Sequence, residues 1–94
     1  MAKIAWLAEA IEDKDDLLEY IAQQSVLAAL AVDEQIAQQI AQLTQFPYLG
    51  RRGRVSGTFE LRISRTPYIA VYKLDGNQVL ILHLFHERRD WPLQ

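Results

Sequence analysis

Tyr68-Ile69-Ala70-Val71-Tyr72-Lys73-Leu74-Asp75-Gly76-Asn77-Gln78-Val79-Leu80-Ile81-Leu82-His83-Leu84-Phe85-His86 is the stretch that decides the fold. Its first run, Tyr68 to Leu74, is almost wholly apolar and rich in β-forming residues, the pattern of a strand covered on both faces and therefore central in its sheet. Asp75-Gly76 tolerates positive φ and predicts a hairpin turn, after which Val79 to His86 returns as a second strand. Upstream, Phe59, Leu61 and Ile63 alternate with Thr58, Glu60, Arg62 and Ser64. That period of two predicts a third strand with one buried face and one face in water. The three runs form an antiparallel meander, preceded by a loop from Gly50 to Gly57.

Working further back, the period lengthens to that of a helix. Ala29, Val32, Ile36, Ile40 and Leu43 fall on one stripe, with Gln35, Gln38, Gln39 and Gln42 left to water. Ser25 is placed to cap this helix by accepting an orphaned amide, and Pro47 stops it near Gln45. An earlier helix from Ala8 to Gln24 has Leu7, Ile11, Leu18, Ile21 and Ala22 on its apolar stripe and Glu12, Asp13, Asp16 and Glu19 mostly on the other side. The short connection at Gln24-Ser25 makes the pair an antiparallel hairpin. Ile4 to Leu7 reads as a brief first strand. The expected fold is α+β: a short N-terminal strand, an antiparallel helical hairpin and an antiparallel three-strand meander in a single domain spanning 1–94.

Composition narrows the function classes. Half the residues are apolar and 23% are charged, as in a folded globule. No cysteine is present, which removes disulfides and thiolate metal ligands. Glu9, Glu12 and Asp13 interrupt the N-terminal apolar residues before a signal-peptide core can form, and Val79 to Phe85 is too short to span a bilayer as a helix. The expectation is a cytoplasmic protein with no membrane partner. Residues 1–50 carry two cations against eight acids, net −6, whereas residues 51–94 carry eight cations against four acids, net +4. The overall −2 conceals this dipole, and a basic second half suits an acidic peptide or a polyanion.

Several segments, taken in order, carry a resemblance: Leu17-Leu18-Glu19-Tyr20-Ile21-Ala22, Pro47-Tyr48-Leu49-Gly50-Arg51, Gly53-Arg54-Val55-Ser56-Gly57-Thr58-Phe59-Glu60-Leu61, Pro67-Tyr68-Ile69-Ala70-Val71-Tyr72, Ile81-Leu82-His83-Leu84-Phe85-His86 and Arg89-Asp90-Trp91-Pro92. With these the chain resembles the RelE/ParE family of bacterial toxins from type II toxin–antitoxin modules. The resemblance implies growth inhibition held in check by a cognate antitoxin, and no cofactor. It leaves two targets open: DNA gyrase, inhibited through protein contacts, or mRNA cut on the ribosome by a metal-independent endonuclease. A degenerate toxin that retains only antitoxin binding is a third reading.

The residues bear on that choice. Cleaving RNA without a metal needs a base for the 2′-hydroxyl, a cation for the developing phosphorane charge and an acid for the leaving oxygen. His86, Arg62 and Arg89 are the candidates, and the same arginines would bind phosphate. Arg51, Arg52, Arg54, Arg65, Arg88 and Trp91 are candidates for gripping a partner or nucleic acid, with Arg54, Arg62 and Arg89 expected on one concave surface of the sheet. Against cleavage, the ribonuclease branch carries an arginine after the aromatic residue of the central strand, where this chain has Ile69, and tends to carry a lysine where it has Glu60. The reading therefore favours ParE-like action. His83, flanked by Leu82 and Leu84, reads as structural. Its odd separation from His86 puts the two imidazoles on opposite strand faces and leaves no metal-ligand cluster.

Overall fold

The two apolar runs pair as expected. A computed structural model describes residues 1–89 of the chain, and in it β4 (Tyr68–Asp75) and β5 (Gln78–His86) form an antiparallel hairpin. The loop is Gly76-Asn77 rather than Asp75-Gly76, because Asp75 still pairs with Gln78. Gly76 sits at φ 60°, the left-handed conformation that a two-residue hairpin loop asks of its first residue and that glycine adopts without strain. β3 (Phe59–Arg62) lies antiparallel to β4, and β1 (Lys3–Trp6) lies parallel to β5. The loop expected over 50–57 contributes a further strand, β2 (Arg51–Arg52), which pairs with Glu60 and Phe59. The sheet order is β1-β5-β4-β3-β2, with β4 at the centre.

α1 (Ala8–Ala22) and α2 (Val26–Ala41), followed by a 3₁₀ turn over Gln42–Thr44, cover one face of the sheet. Ser25 caps α2 as its sequence position suggests, its hydroxyl accepting from the Ala28 amide at 3.1 Å. The α2 stripe is the expected one, with Ile36, Ile40 and Leu43 meeting Leu61, Ile63, Tyr72, Val79 and Ile81 in the main core. The α1 stripe is rotated from the expected one: Ala10 is fully buried, Leu17 is partly buried, and Ile11 is 46% exposed. Asp13, expected on the outer face, turns toward the sheet. Its Oδ2 accepts the Leu84 amide at 3.1 Å and lies 3.2 Å from His83 Nδ1. The reason is the end of β1. Past Trp6 no strand among the described residues pairs the outer edge of β5, and the carboxylate stands in for one.

Asp13→Ala is accordingly expected to cost about 1–3 kcal/mol, the penalty of leaving a buried edge amide unpaired. Hydrogen exchange checks it: the Leu84 amide should lose protection selectively. A second clip holds the opposite edge, where the Gln39 side-chain amide donates to the Ser64 carbonyl at 3.0 Å and accepts from the Ser64 amide at 2.7 Å. No helix among the described residues is long and apolar enough to cross a membrane.

Tyr72 ties the loop before β2 to the core. It is fully buried and stacks on Phe59 with ring centroids 5.4 Å apart, while its hydroxyl donates to the Pro47 carbonyl at 2.8 Å and accepts the Gly50 amide at 2.9 Å. A Cβ on Gly50 would stand 2.8 Å from the Glu60 carbonyl oxygen and 2.9 Å from the Tyr72 hydroxyl, so the approach requires glycine. Burial pushes the Tyr72 phenol above the ordinary value of 10.0, and the Gly50 N–H offsets part of that rise. Tyr68 is raised too, by burial and then by the neighbouring Tyr20. Well below pH 10 both phenols are neutral in the folded and unfolded chain, and their contribution to stability is complete. As pH rises toward the folded-state values, the unfolded tyrosines ionise first and stability falls. Urea unfolding followed from pH 8 to about pH 11 should show this loss, and Tyr72→Phe should flatten it.

Candidate functional site

On the sheet face away from the helices, Ile69, Val71 and Phe85 form a second, smaller core with Leu82. Glu60 joins this face because it is in register with Val71. The alternation that predicted its orientation is correct, but the expectation that it faces water is not: Glu60 is 2% exposed. The loop after β2 folds back over it. Arg51 and Arg54 each place a guanidinium nitrogen 3.3 Å from Glu60 Oε1, and the Arg54 amide donates to Oε2 at 2.9 Å. Arg54 also lies over the Phe85 ring, 5.7 Å from its centroid, a cation–π arrangement. Further along the same face Arg62 pairs with Glu87.

This surface is less cationic than its arginines alone suggest, since Glu60 and Glu87 neutralise part of it. Arg52 is exposed on β2, and a hollow of about 450 Å³ opens at the start of β2, lined by Gln42, Leu49, Gly50, Arg51, Arg62 and Ile69. Arg65 is exposed in the turn before β4, at φ 69°, with the turn closed by the Thr66 hydroxyl bonding the Ile63 carbonyl at 2.8 Å.

The tail is arranged differently. His86 is in register with Tyr68, whereas Arg62 is in register with Ile69. Because Tyr68 and Ile69 are adjacent on β4, Arg62 and His86 stand on opposite faces. His86 packs edge-on against Tyr68, with centroids 5.6 Å apart, and its Nδ1 accepts the Arg88 amide at 3.1 Å. In the neutral ring the proton is therefore on Nε2. Arg89 lines the same hollow as His86, about 300 Å³ between α1 and the ends of β4 and β5. Arg88 is exposed.

The three residues considered for RNA cleavage are thus brought together only in part: His86 with Arg89, and Arg62 elsewhere. Likewise the expectation that Arg54, Arg62 and Arg89 share one surface is corrected. Arg54 and Arg62 share the outer face, while Arg89 lies beside α1, because β5 has already ended and the chain turns through the Arg89 amide bonding the His86 carbonyl. Trp91 lies outside the described residues. Among those residues no group of three or more histidines and acids is arranged to hold a metal ion.

Asp16, Tyr20 and Tyr68 also line that hollow and were not singled out from the sequence. A signal for two of them exists: Asp13, Asp16, Leu17 and Tyr20 follow helical spacing on one face of α1.

A short N-terminal strand, a hairpin of helices on one face and an antiparallel meander match the fold of solved chains from ParDE and RelBE systems. The chain superposes on a chain of the chromosomal ParDE system of P. aeruginosa with a TM-score of 0.80 at 25% identity, covering 92% of this chain and 96% of that one. It superposes on a chain of the intact E. coli RelBE toxin–antitoxin complex with a TM-score of 0.69 at 14% identity, covering 95% and 100%. In sequence it is 32% identical to the Sinorhizobium fredii protein Y4kP over 90 residues, 96% of this chain and 93% of that protein. Residues 4–91 match the family described as the ParE toxin of the type II toxin–antitoxin system parDE. The chain belongs to that toxin family.

Proposed function

We propose that this toxin is neutralised by a cognate antitoxin and acts, as ParE toxins do, by inhibiting DNA gyrase through protein contacts rather than by cutting mRNA. The antitoxin half draws support from the relatives, whose solved structures come from toxin–antitoxin systems. The observation that carries the gyrase half is the apolar centre of the outer face. Ile69 is 5% exposed, Val71 fully buried and Phe85 5% exposed; Ile69 stands where the resemblance puts the ribonuclease branch's arginine, and the guanidinium that lies over Phe85, that of Arg54, is paired with Glu60. The carboxylate beside them is already held by two arginines and an amide. His86, the one imidazole at the strand end, faces away from Arg62. A base, an acid and a phosphate-binding cation have to converge within hydrogen-bonding reach of one bond, and among the described residues Arg62 and His86 lie on opposite faces.

The test is induction of the toxin without its antitoxin in cells carrying a reporter plasmid. Loss of plasmid supercoiling with unchanged mRNA 5′ ends supports the proposal. Codon-specific mRNA cuts with normal topology would reverse it in favour of the ribosome-dependent endonuclease.

A further inference from the structure

The hollow beside α1 contains a polar group without a hydrogen-bond partner among the described residues. Tyr68 is 8% exposed, yet its hydroxyl has no hydrogen-bond partner among the described residues. A hydroxyl left this way on a largely buried residue, at the wall of a hollow, is open to a ligand or water. Around it stand Tyr20 on the exposed side of α1, the carboxylates of Asp13 and Asp16, the imidazole of His86 and, at the rim, Arg89. Asp13 spends Oδ2 on the Leu84 amide and His83, which leaves Oδ1 available. Asp16 has no ion-pair partner among the described residues. Two carboxylates face one guanidinium, so the hollow is acidic within a chain end that is otherwise basic.

From this geometry we infer that the hollow seats a single arginine side chain presented by the antitoxin, a step that rests on the antitoxin reading above. The chemistry selects arginine. A planar guanidinium stacks on phenol rings, and its fork of donors reaches a carboxylate and a hydroxyl oxygen at once. The Tyr68 phenol is protonated at neutral pH, burial and then Tyr20 raising it above its ordinary value of 10.0, so its oxygen accepts while the ring supplies the apolar wall. A lysine ammonium would find the carboxylate but would lose the stacking. A carboxylate could pair with Arg89 but would meet the carboxylates of Asp13 and Asp16 in the same hollow. Arg89 is exposed and sits at the rim, from which it can turn to water. The antitoxin would then place acidic residues over the Arg51 and Arg52 side of the sheet and one arginine here, which fixes its direction along the toxin.

The test uses the intact toxin in two steps. N-acetyl-arginine amide, N-acetyl-lysine amide and N-acetyl-glutamate amide are titrated while amide NMR shifts are followed. The expected result is saturable movement at Tyr20, Tyr68, Leu84 and His86 with the arginine probe, weaker with lysine and absent with glutamate. Asp16→Asn and Tyr68→Phe, which keep the shape of each side chain, should each weaken the arginine response about tenfold, the loss of one charge-assisted hydrogen bond. No arginine response, an equal response in both variants, or a stronger response to glutamate would each overturn the inference. The second step measures antitoxin binding to the wild type and to the Asp16→Asn/Tyr68→Phe double variant. Weaker binding by the double variant supports the seat. Equal binding removes the arginine seat while leaving the antitoxin reading intact. Failure of the wild type to bind its neighbouring-gene antitoxin removes that reading instead.

Discussion

Tyr72→Ala is expected to leave the protein unfolded or nearly so at 37 °C. Truncating a buried aromatic costs about 3–5 kcal/mol in lost transfer energy and cavity. Here the stacking on Phe59 and the two hydrogen bonds to Pro47 and Gly50 go with it. Against a typical domain stability of about 5–15 kcal/mol, that is a large share of the total. Tyr72→Phe separates the two contributions. It keeps the ring and removes only the hydroxyl, leaving the Gly50 N–H and the Pro47 carbonyl without their partner, for about 1–3 kcal/mol. Thermal unfolding reads both, at roughly 4–8 °C per kcal/mol for a chain of this size. A Tyr72→Phe variant as stable as the wild type would show that the hydroxyl does not pin the loop.

The second large effect is expected at Glu60. Its carboxylate is the shared anchor of Arg51, Arg54 and the Arg54 amide. Glu60→Ala removes the anchor and leaves that amide unpaired, at a cost of about 2–3 kcal/mol. The cost stays below that of breaking a fully buried ion pair, because the Arg51 and Arg54 side chains are 70% and 42% exposed and water can solvate them once released. The functional consequence exceeds the stability loss. With the loop over 51–57 released, the guanidiniums no longer hold one arrangement, and the affinity for the antitoxin should fall even where the variant remains folded. Glu60→Gln, which preserves shape and can still accept the Arg54 amide, should recover part of the binding. Calorimetric titration of antitoxin into each variant reads this. Unchanged affinity in folded Glu60→Ala would mean that the arginine arrangement is irrelevant to binding.

Glu60 also shows where sequence reasoning reaches its limit. Its strand and its side of the strand follow from alternation alone. Its burial does not, since burial depends on the preceding loop over 51–57 folding back over that side, which no alternation within the strand contains. The hairpin of β4 and β5 and the α2 stripe were legible because each is long and strongly periodic, and the Ser25 cap because its chemistry is local. β2 has only two residues, too few for any period to declare it. The rotation of α1 was hidden by Ile11 and Leu7, apolar residues that the structure leaves partly exposed, and by Asp13, whose inward turn makes sense only once β1 is known to end at Trp6.

The candidate site was legible as a set of residue types but not as an arrangement. Whether Arg62 and His86 can meet depends on the register of β3 against β4 and of β4 against β5, a one-residue matter that no pattern within a single strand contains. The acidic hollow was missed for the opposite reason: its helical half is present in the spacing of Asp13, Asp16 and Tyr20, but its floor, Tyr68, comes from the other end of the chain.

The proposal that toxicity runs through gyrase is tested most directly by adding purified toxin to purified gyrase and relaxed plasmid. Supercoiling should be inhibited in proportion to toxin and restored by equimolar antitoxin. Full supercoiling activity at saturating, correctly folded toxin would contradict the account.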